Sequence, residues 1–228
     1  MSELILTRVE LKGRLLAKQV DSHLKQNDLA MMAVGDFLSA NPDISPAIAQ
    51  SRMRRYVRAA AGLRAILAVN ANGELAHDSY SLPGLGLDLE DRLYLQDALK
   101  LENSDLQISA PVIGRKTGLP FIPITRSLFN VENKPTGVIV GILGPETLLP
   151  DDSDCASCIS AVLTTDLDIL VSRPTGLQFS DDLLNHIQES LSATGLKLVE
   201  KKGGKMLVTW TRSSAAGVVT IAGELLSD

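Results

Sequence analysis

Residues 91–126 read DRLYLQDALKLENSDLQISAPVIGRKTGLPFIPITR, and the hydrophobic period changes within this stretch. A short helix is predicted within residues 88–101, because the segment has an acidic start and apolar residues at roughly helical spacing. Alternating apolar residues then predict strands at 106–113 and 119–129, separated by the turn Arg115-Lys-Thr-Gly118. Another strand is predicted at 136–143. The segment therefore indicates an antiparallel sheet flanked by helices.

The N-terminal segment, residues 1–58, is predicted to be helical. Its apolar residues form a single stripe: Val9, Leu16, Val20, Leu24, Met31, Val34 and Leu38. This long helix should end before Asn41-Pro42, because the residue ahead of a proline is pushed out of the α region. At roughly 55 Å it is longer than a compact domain needs, so we expect it to project, to pair with another copy or to connect to something upstream. A second helix, capped by Asp43 or Ser45, should run towards Arg58.

Two modules are predicted after the helices, at residues 59–149 and 150–228. The first begins with strands at 63–69 and 74–77, joined by a tight turn that ends in Asn-Gly. The acidic, proline-containing segment 145–154 is the best candidate for a linker. The second module has predicted strands at 159–165, 168–172, 196–200, 205–212 and 217–225, with a helix at 179–193. The two modules have a similar order of elements, which is typical of an internal repeat in an α+β fold.

The composition and charge of the chain limit its possible partners. The 228 residues carry a formal charge of −5 and a pI near 5.3, so no nucleic acid partner is expected. The basic run Arg52–Arg58 is interpreted as the solvated face of an amphipathic helix. No run of about 18 apolar residues is present, and no signal peptide is recognised at the N-terminus. The chain suits either a complete soluble protein or a fragment of a longer one.

The two cysteines, Cys155 and Cys158, follow the acidic run 151–154. Neighbouring carboxylates would raise a thiol pKa, which argues against thioredoxin-like chemistry. A metal site would need further soft ligands, and the three histidines are scattered along the chain. We therefore expect either a short-loop disulfide or free thiols, and neither a metal nor a cofactor. A disulfide would favour an oxidising compartment.

Sequence motifs of catalysis are missing from the chain. It has no phosphate-binding loop ending in Lys-Ser or Lys-Thr, no His-Glu-x-x-His and no Gly-x-Ser-x-Gly. The sequence therefore predicts a protein that is not an enzyme.

Several short motifs occur in an order that resembles a known family. They are Asp91-Arg-Leu-Tyr-Leu95, Ile108-Ser-Ala-Pro-Val-Ile-Gly-Arg115, Thr117-Gly118, Pro120-Phe-Ile-Pro-Ile-Thr-Arg126 and Gly137-Val-Ile-Val140. This pattern resembles the double Cache family, the tandem PAS-like sensor modules of bacterial histidine kinases, diguanylate cyclases and chemoreceptors. The match covers roughly residues 60–148. The long helix and the second module match the family only in the order of their elements.

The resemblance implies a long N-terminal helix followed by two PAS-like antiparallel-sheet modules. It implies an extracytoplasmic, periplasmic domain whose membrane-distal module binds a small molecule and whose smaller module is membrane-proximal. It also implies a homodimer through the N-terminal helix, within a membrane-anchored parent protein that has a cytoplasmic output domain. The conformational signal would pass through the long helix and the second module. The alternative is a dimerising scaffold that binds no ligand.

Arg92 is the first candidate ligand-binding residue. A guanidinium matches a carboxylate with two parallel hydrogen bonds, although Arg92 could instead pair with Asp88 or Glu90 at the surface. Amino-acid-binding members of the family have Arg-x-Trp-Tyr here, where this chain has Arg92-Leu-Tyr-Leu95. The carboxylates that hold the ligand amine in those members are replaced by Val112-Ile-Gly114 and Gly141-Ile-Leu143. An α-amino acid is therefore not expected, and the ligand is predicted to be a carboxylate without an amino group or a more apolar molecule.

Six further residues are candidates for the same pocket: Tyr94, Ser109, Thr125, Arg126, His77 and Asp78. Tyr94 can cover a ligand or fill the core. Ser109, Thr125 and Arg126 alternate with apolar residues on predicted strands, so they point either into a pocket or to the wet face of the sheet. His77 and Asp78 end a strand beside a glycine-rich loop, where pocket mouths are common, but a surface role is the alternative.

Overall fold

The computed structural model describes residues 3–81, 89–150, 155–201, 204–213 and 217–226. Predictions for the loop at 82–88 and for the acidic run 151–154 lie outside the described residues. The chain forms two compact units, one of residues 23–144 and one of residues 1–22 with 145–228. No helix in the described part of the chain is long and apolar enough to cross a membrane.

The N-terminal helix α1 spans Glu3–Ser39, as the apolar stripe predicts. Six of the seven stripe residues are buried; the seventh, Leu38, is half-buried. Helix α2 spans Pro46–Ala59 and begins after Ser45, whose side chain makes no capping bond. Proline at the first helical position fits this start, because proline has no N–H to leave unpaired there.

The unit of residues 23–144 contains a six-stranded antiparallel sheet. Its strands are β1 (Leu63–Asn70), β2 (Leu75–Asp78), β3 (Gln107–Ile108), β4 (Val112–Ile113), β5 (Pro120–Phe129) and β6 (Pro135–Leu143). The order is β2-β1-β6-β5-β3, and β4 also pairs with β5. Helix α3 (Leu93–Lys100) packs on β5 and β6, while α2 packs on β1 and β2.

Two elements of this unit differ from the predictions. The strand predicted at 106–113 is two short strands, β3 and β4, because Pro111 between them has no N–H for the ladder. Helix α3 begins at Leu93 rather than near residue 88. The backbone N–H of Leu89 is instead bonded to the carbonyl of Gly73, 3.0 Å away, which ties this residue to the β1–β2 turn.

The other unit contains a five-stranded antiparallel sheet of order β8-β7-β11-β10-β9. Its strands are β7 (Cys158–Thr164), β8 (Ile169–Arg173), β9 (Thr194–Lys201), β10 (Gly204–Ser213) and β11 (Val218–Leu226), and helix α4 spans Asp181–Glu189. The helix begins after Ser180, whose side chain caps it as the sequence indicates, and it ends earlier than predicted because Ser190 has an extended backbone. A 3₁₀ helix at Pro145–Leu148 occupies part of the predicted linker, and its Leu148 is buried.

Candidate functional site

A cavity of about 380 Å³ lies within the unit of residues 23–144. Its walls come from strands β1 and β2, the start of α3, the turn between β4 and β5, and the first residues of β5. The described lining residues are Arg64, Ala65, Leu67, Leu75, Asp78, Tyr80, Leu89, Arg92, Tyr94, Gly114, Arg115, Lys116, Thr117, Leu119, Phe121 and Ile142. The volume is in the range of small-molecule sites.

The floor of the cavity is apolar. Leu75, Leu89, Tyr94 and Phe121 line it and belong to the buried core between the sheet and α3. The rings of Tyr94 and Phe121 meet edge to face, with centroids 6.3 Å apart. Burial raises the pKa of the Tyr94 phenol, against the opposing effect of Arg92. The phenol is therefore neutral at physiological pH and can donate a hydrogen bond.

A β-bulge decides which residues of β2 face the cavity. Leu75 pairs with Val69 and Asp78 pairs with Leu67, whereas the register shifts between Ala68 and Val69. Leu75 and Asp78, three residues apart, consequently both line the cavity. His77 pairs with Ala68 and lies on the other face, so the structure does not bring it to the cavity. Burial lowers the pKa of His77.

Four cationic side chains line the cavity: Arg64, Arg92, Arg115 and Lys116. Arg64 donates to the carbonyl of Pro120 at 2.8 Å, and Arg115 pairs with Asp91. These contacts hold guanidinium groups at the wall of the cavity. Two of the four cations are paired with carboxylates, Arg115 with Asp91 and Lys116 with Asp78.

Arg92 precedes α3 as its N-cap residue. Its Nη2 donates to the carbonyl of Ile113 at 3.3 Å, while its Nε is buried without a hydrogen-bond partner among the described residues. A buried guanidinium N–H costs free energy until it is paired.

Asp78 is the single acidic side chain among the described residues that line the cavity. It is 3% exposed, and its Oδ1 accepts from the N–H of Tyr80 at 2.7 Å. Its Oδ2 accepts from the hydroxyl of Ser81 at 2.8 Å and lies 3.5 Å from Nζ of Lys116. The carboxylate is therefore already paired within the protein.

The other predicted site residues lie elsewhere in this unit. Thr125 is fully buried on the same face of β5 as Phe121, but about 13 Å further along the strand. Its Oγ1 has no partner among the described residues. Ser109 is half-buried and bonds through its N–H to Pro123. Arg126 lies on the opposite face of the sheet and pairs with Asp28 of α1.

The structure brings three of the predicted residues, Arg92, Tyr94 and Asp78, to one cavity. Its lining also includes Arg64, Arg115 and Lys116, which sequence reasoning did not propose. The pair Arg115-Lys116 was interpreted only as the spacer between two strands. The signal that could have identified this pair is the presence of two adjacent cations beside an apolar strand. Arg64 gave no such signal, because a lone arginine in an apolar strand can lie on the solvent-exposed face of the sheet as readily as in a cavity.

The other unit contains the cysteine pair and a second cavity. Cys155 and Cys158 form a disulfide. A cavity of about 300 Å³ lies between α1 and strands β9 and β10, with Glu10 and Arg14 on its wall. Within the described ranges, no group of three or more His, Cys, Asp or Glu side chains is placed to hold a metal ion.

Comparison with solved structures shows what the fold is similar to. The extracellular domain of rpHK1S-Z16, a protein described as a histidine kinase, matches with a TM-score of 0.82 at 20% identity, over 98% of this chain and 97% of that chain. The ligand-binding domain of the Pseudomonas fluorescens chemoreceptor CtaA, in complex with L-serine, has a TM-score of 0.72 at 18% identity and 96% coverage of both chains.

A third match is the ligand-binding domain of the Pseudomonas aeruginosa PAO1 chemoreceptor PctB in complex with L-Gln. Its TM-score is 0.70 at 15% identity, over 95% of this chain and 89% of that chain. No family model and no curated protein sequence matches the chain. The predicted α+β architecture of a long helix followed by two PAS-like modules is confirmed. The chain therefore shares the fold of these extracellular and ligand-binding domains, and this is the fold that the resemblance to the double Cache family implied.

Proposed function

We propose that this chain is the extracytoplasmic ligand-sensing domain of a membrane-anchored signal-transduction receptor. In this proposal the cavity of the unit of residues 23–144 binds a small organic acid with an apolar body and no amino group. The observation that carries the proposal is the cavity itself, in which four cationic side chains surround an apolar floor and the one carboxylate of the described lining is already paired.

The comparisons support a sensor. The similar structures are an extracellular domain of a protein described as a histidine kinase and ligand-binding domains of chemoreceptors. An extracytoplasmic location also agrees with the Cys155–Cys158 disulfide, because disulfides persist in oxidising compartments. The receptor's cytoplasmic output domain is part of the proposal and lies outside this chain.

The lining of the cavity argues for an acid rather than an amino acid. The chemoreceptor domains named above were solved with L-serine and L-Gln. An α-amino acid needs an acceptor for its ammonium as well as donors for its carboxylate. In this cavity the donors are present in Arg92 and its cationic neighbours, but the described lining offers no acidic side chain besides Asp78. The ligand's carboxylate would bind the guanidinium group of Arg92, and its body would contact Tyr94 and Phe121.

Helix α1 is the proposed carrier of the signal. The sheet that bears the cavity packs closely on this helix: a Cβ added at Gly35 would lie 2.9 Å from Leu128 of β5, and one at Gly141 would lie 3.0 Å from Met31. A ligand that binds two packings of the sheet with different affinity would shift α1 between two arrangements. The same helix continues into the other unit.

The test is a thermal-shift screen of the whole chain against aromatic and branched carboxylates, because a ligand that binds the folded state raises the melting temperature. Arg92→Ala should lower the affinity for an active carboxylate by about 2 kcal/mol, or roughly thirtyfold, through loss of a charge-assisted hydrogen bond. Arg58→Ala, at an exposed arginine of α2, is the matched control and should bind as the wild type does. Equal affinities in the two variants would remove Arg92 from the site, and no shift with any carboxylate would favour a scaffold.

A further inference from the structure

The paired carboxylate in the cavity has an internal cationic partner. Lys116 belongs to the turn between β4 and β5, and its Nζ lies 3.5 Å from Oδ2 of Asp78 and 3.2 Å from Oγ of Ser81. Its side chain is 46% exposed, whereas that of Asp78 is 4% exposed. The lysine therefore reaches from the rim of the cavity to the one described carboxylate in its wall.

The ammonium of Lys116 occupies the position that a ligand ammonium would need. An incoming amine would have to approach Oδ2 of Asp78, which already accepts from Ser81 and faces Lys116. Two ammonium groups at such a distance repel each other, and this repulsion is stronger at a partly buried site than in water. The nearby Arg92 and Arg115 add to the positive potential.

We propose that Lys116 is a specificity-determining residue that substitutes for the amino group of the ligand. Paired with Asp78, it rejects α-amino acids and admits the carboxylic acids that have the same side chain but no amine. Removal of the lysine leaves a buried carboxylate that faces the cavity without a charged partner, and an amine of the ligand then restores the pair. This inference rests on the proposed function of the cavity, since it assumes that the same cationic side chains bind the ligand's carboxylate.

The experiment compares two pairs of compounds that differ only in the ammonium: 3-phenylpropanoate with L-phenylalanine, and 4-methylpentanoate with L-leucine. Affinities are measured by calorimetry for the wild-type chain and for Lys116→Met, which keeps the length of the side chain and removes its charge. Lys134→Met is the matched control, because Lys134 lies in the exposed β5–β6 turn and pairs with Glu132. Circular dichroism melting verifies that each variant is folded.

We expect the wild type and Lys134→Met to prefer the acid of each pair. Lys116→Met should change the ratio of the two affinities towards the amino acid by about tenfold or more. The additional change Asp78→Asn, which keeps the acceptor for Tyr80 but removes the charge, should abolish this gain.

Each contrary result has a distinct meaning. If the wild type binds the acids and Lys116→Met keeps the wild-type ratio, the inference is wrong and the proposed function stands. A gain that survives Asp78→Asn would also overturn it, because the amine would then have another partner. If the wild type prefers the amino acids, the proposed function and the inference fail together.

Discussion

His77 shows at the scale of one residue how burial sets a pH dependence. Its Nδ1 is buried without a partner among the described residues, and burial lowers its pKa below the usual 6.5. As the pH falls through about 6.5, the unfolded chain binds a proton at this residue while the folded chain stays neutral. The unfolded state is then favoured, so the free energy of unfolding should fall in this window.

The substitution His77→Gln tests this contribution. We expect the free energy of unfolding of the variant to fall less than that of the wild type between about pH 7 and pH 5.5, because glutamine does not titrate. Urea denaturation at several pH values measures it. Near pH 8 residue 77 is neutral in both chains, so the difference there reports packing alone. Parallel curves for the two chains over the whole range would contradict the prediction.

The proposed roles of Arg92 and Lys116 also depend on the surroundings of single atoms. The Nε of Arg92 has no hydrogen-bond partner in the described part of the chain, and the Nζ of Lys116 faces one carboxylate oxygen. Sequence reasoning identified Arg92 from the donor geometry of a guanidinium and from its neighbours in the motif. It could not identify Lys116, because the pair with Asp78 joins residues 38 positions apart.

At the scale of elements, helix α1 and strand β10 approach each other closely at Gly13. A Cβ at this position would lie 2.3 Å from Cγ2 of Thr209, whose hydroxyl is held by the carbonyl of Gly195 at 2.9 Å. Helix propensity alone would favour alanine over glycine by about 1 kcal/mol. We nevertheless expect Gly13→Ala to destabilise the chain by about 1–3 kcal/mol, because overpacking forces the two elements apart.

The double variant Gly13→Ala with Thr209→Ser separates the two effects. Serine lacks Cγ2 and keeps the hydroxyl, so the clash is removed and most of the lost stability should return. Chemical denaturation of both single variants and the double variant gives the coupling energy between the two positions. Additive effects of the two changes would show that the close approach does not limit this packing.

The pairing of β2 with β1 decides which face of the sheet each β2 residue occupies. The alternation of apolar residues predicted β1 and β2 correctly but not the bulge between Ala68 and Val69. One extra residue on β2 moves His77 to one face and leaves Asp78 in the cavity. The local sequence Leu75-Ala-His-Asp78 does not show which of its side chains face the cavity, because the register depends on the partner strand.

At the scale of the whole molecule, α1 carries an exposed apolar stripe opposite its buried one. The stripe consists of Leu4, Leu11, Leu15, Leu29 and Met32, whose spacings of 7, 4, 14 and 3 follow a heptad repeat. Apolar residues at heptad spacing on an exposed helix face are typical of helix pairing. We propose that a second copy of the chain covers this stripe, as the resemblance to dimeric sensors implies.

Leu11→Glu should weaken this self-association, because it places a charge in the apolar seam. Sedimentation velocity at increasing protein concentration measures the effect. Ile48→Glu is the matched control, since Ile48 is an exposed apolar residue on α2, with 60% exposure against 50% for Leu11. A wild-type chain that stays monomeric at every concentration, or equal dimerisation of both variants, would contradict a dimer through α1.

The sequence by itself determined the elements and their order, because these depend on local patterns. The apolar stripe of α1, the period change after residue 62 and the turn residues are all short-range signals, and the helices and strands agree with them closely. The two-module plan followed from the same patterns. Arg92 and Tyr94 also came from a local motif.

Only the tertiary structure decided which side chains share a cavity. The start of β5 brings Phe121 to Tyr94 of α3, the β4–β5 turn brings Lys116 to Asp78, and the register of β5 turns Arg126 away towards Asp28. These contacts join residues 27 or more positions apart. Their geometry is set by strand pairing and by helix packing on the sheet, which no local window of sequence contains.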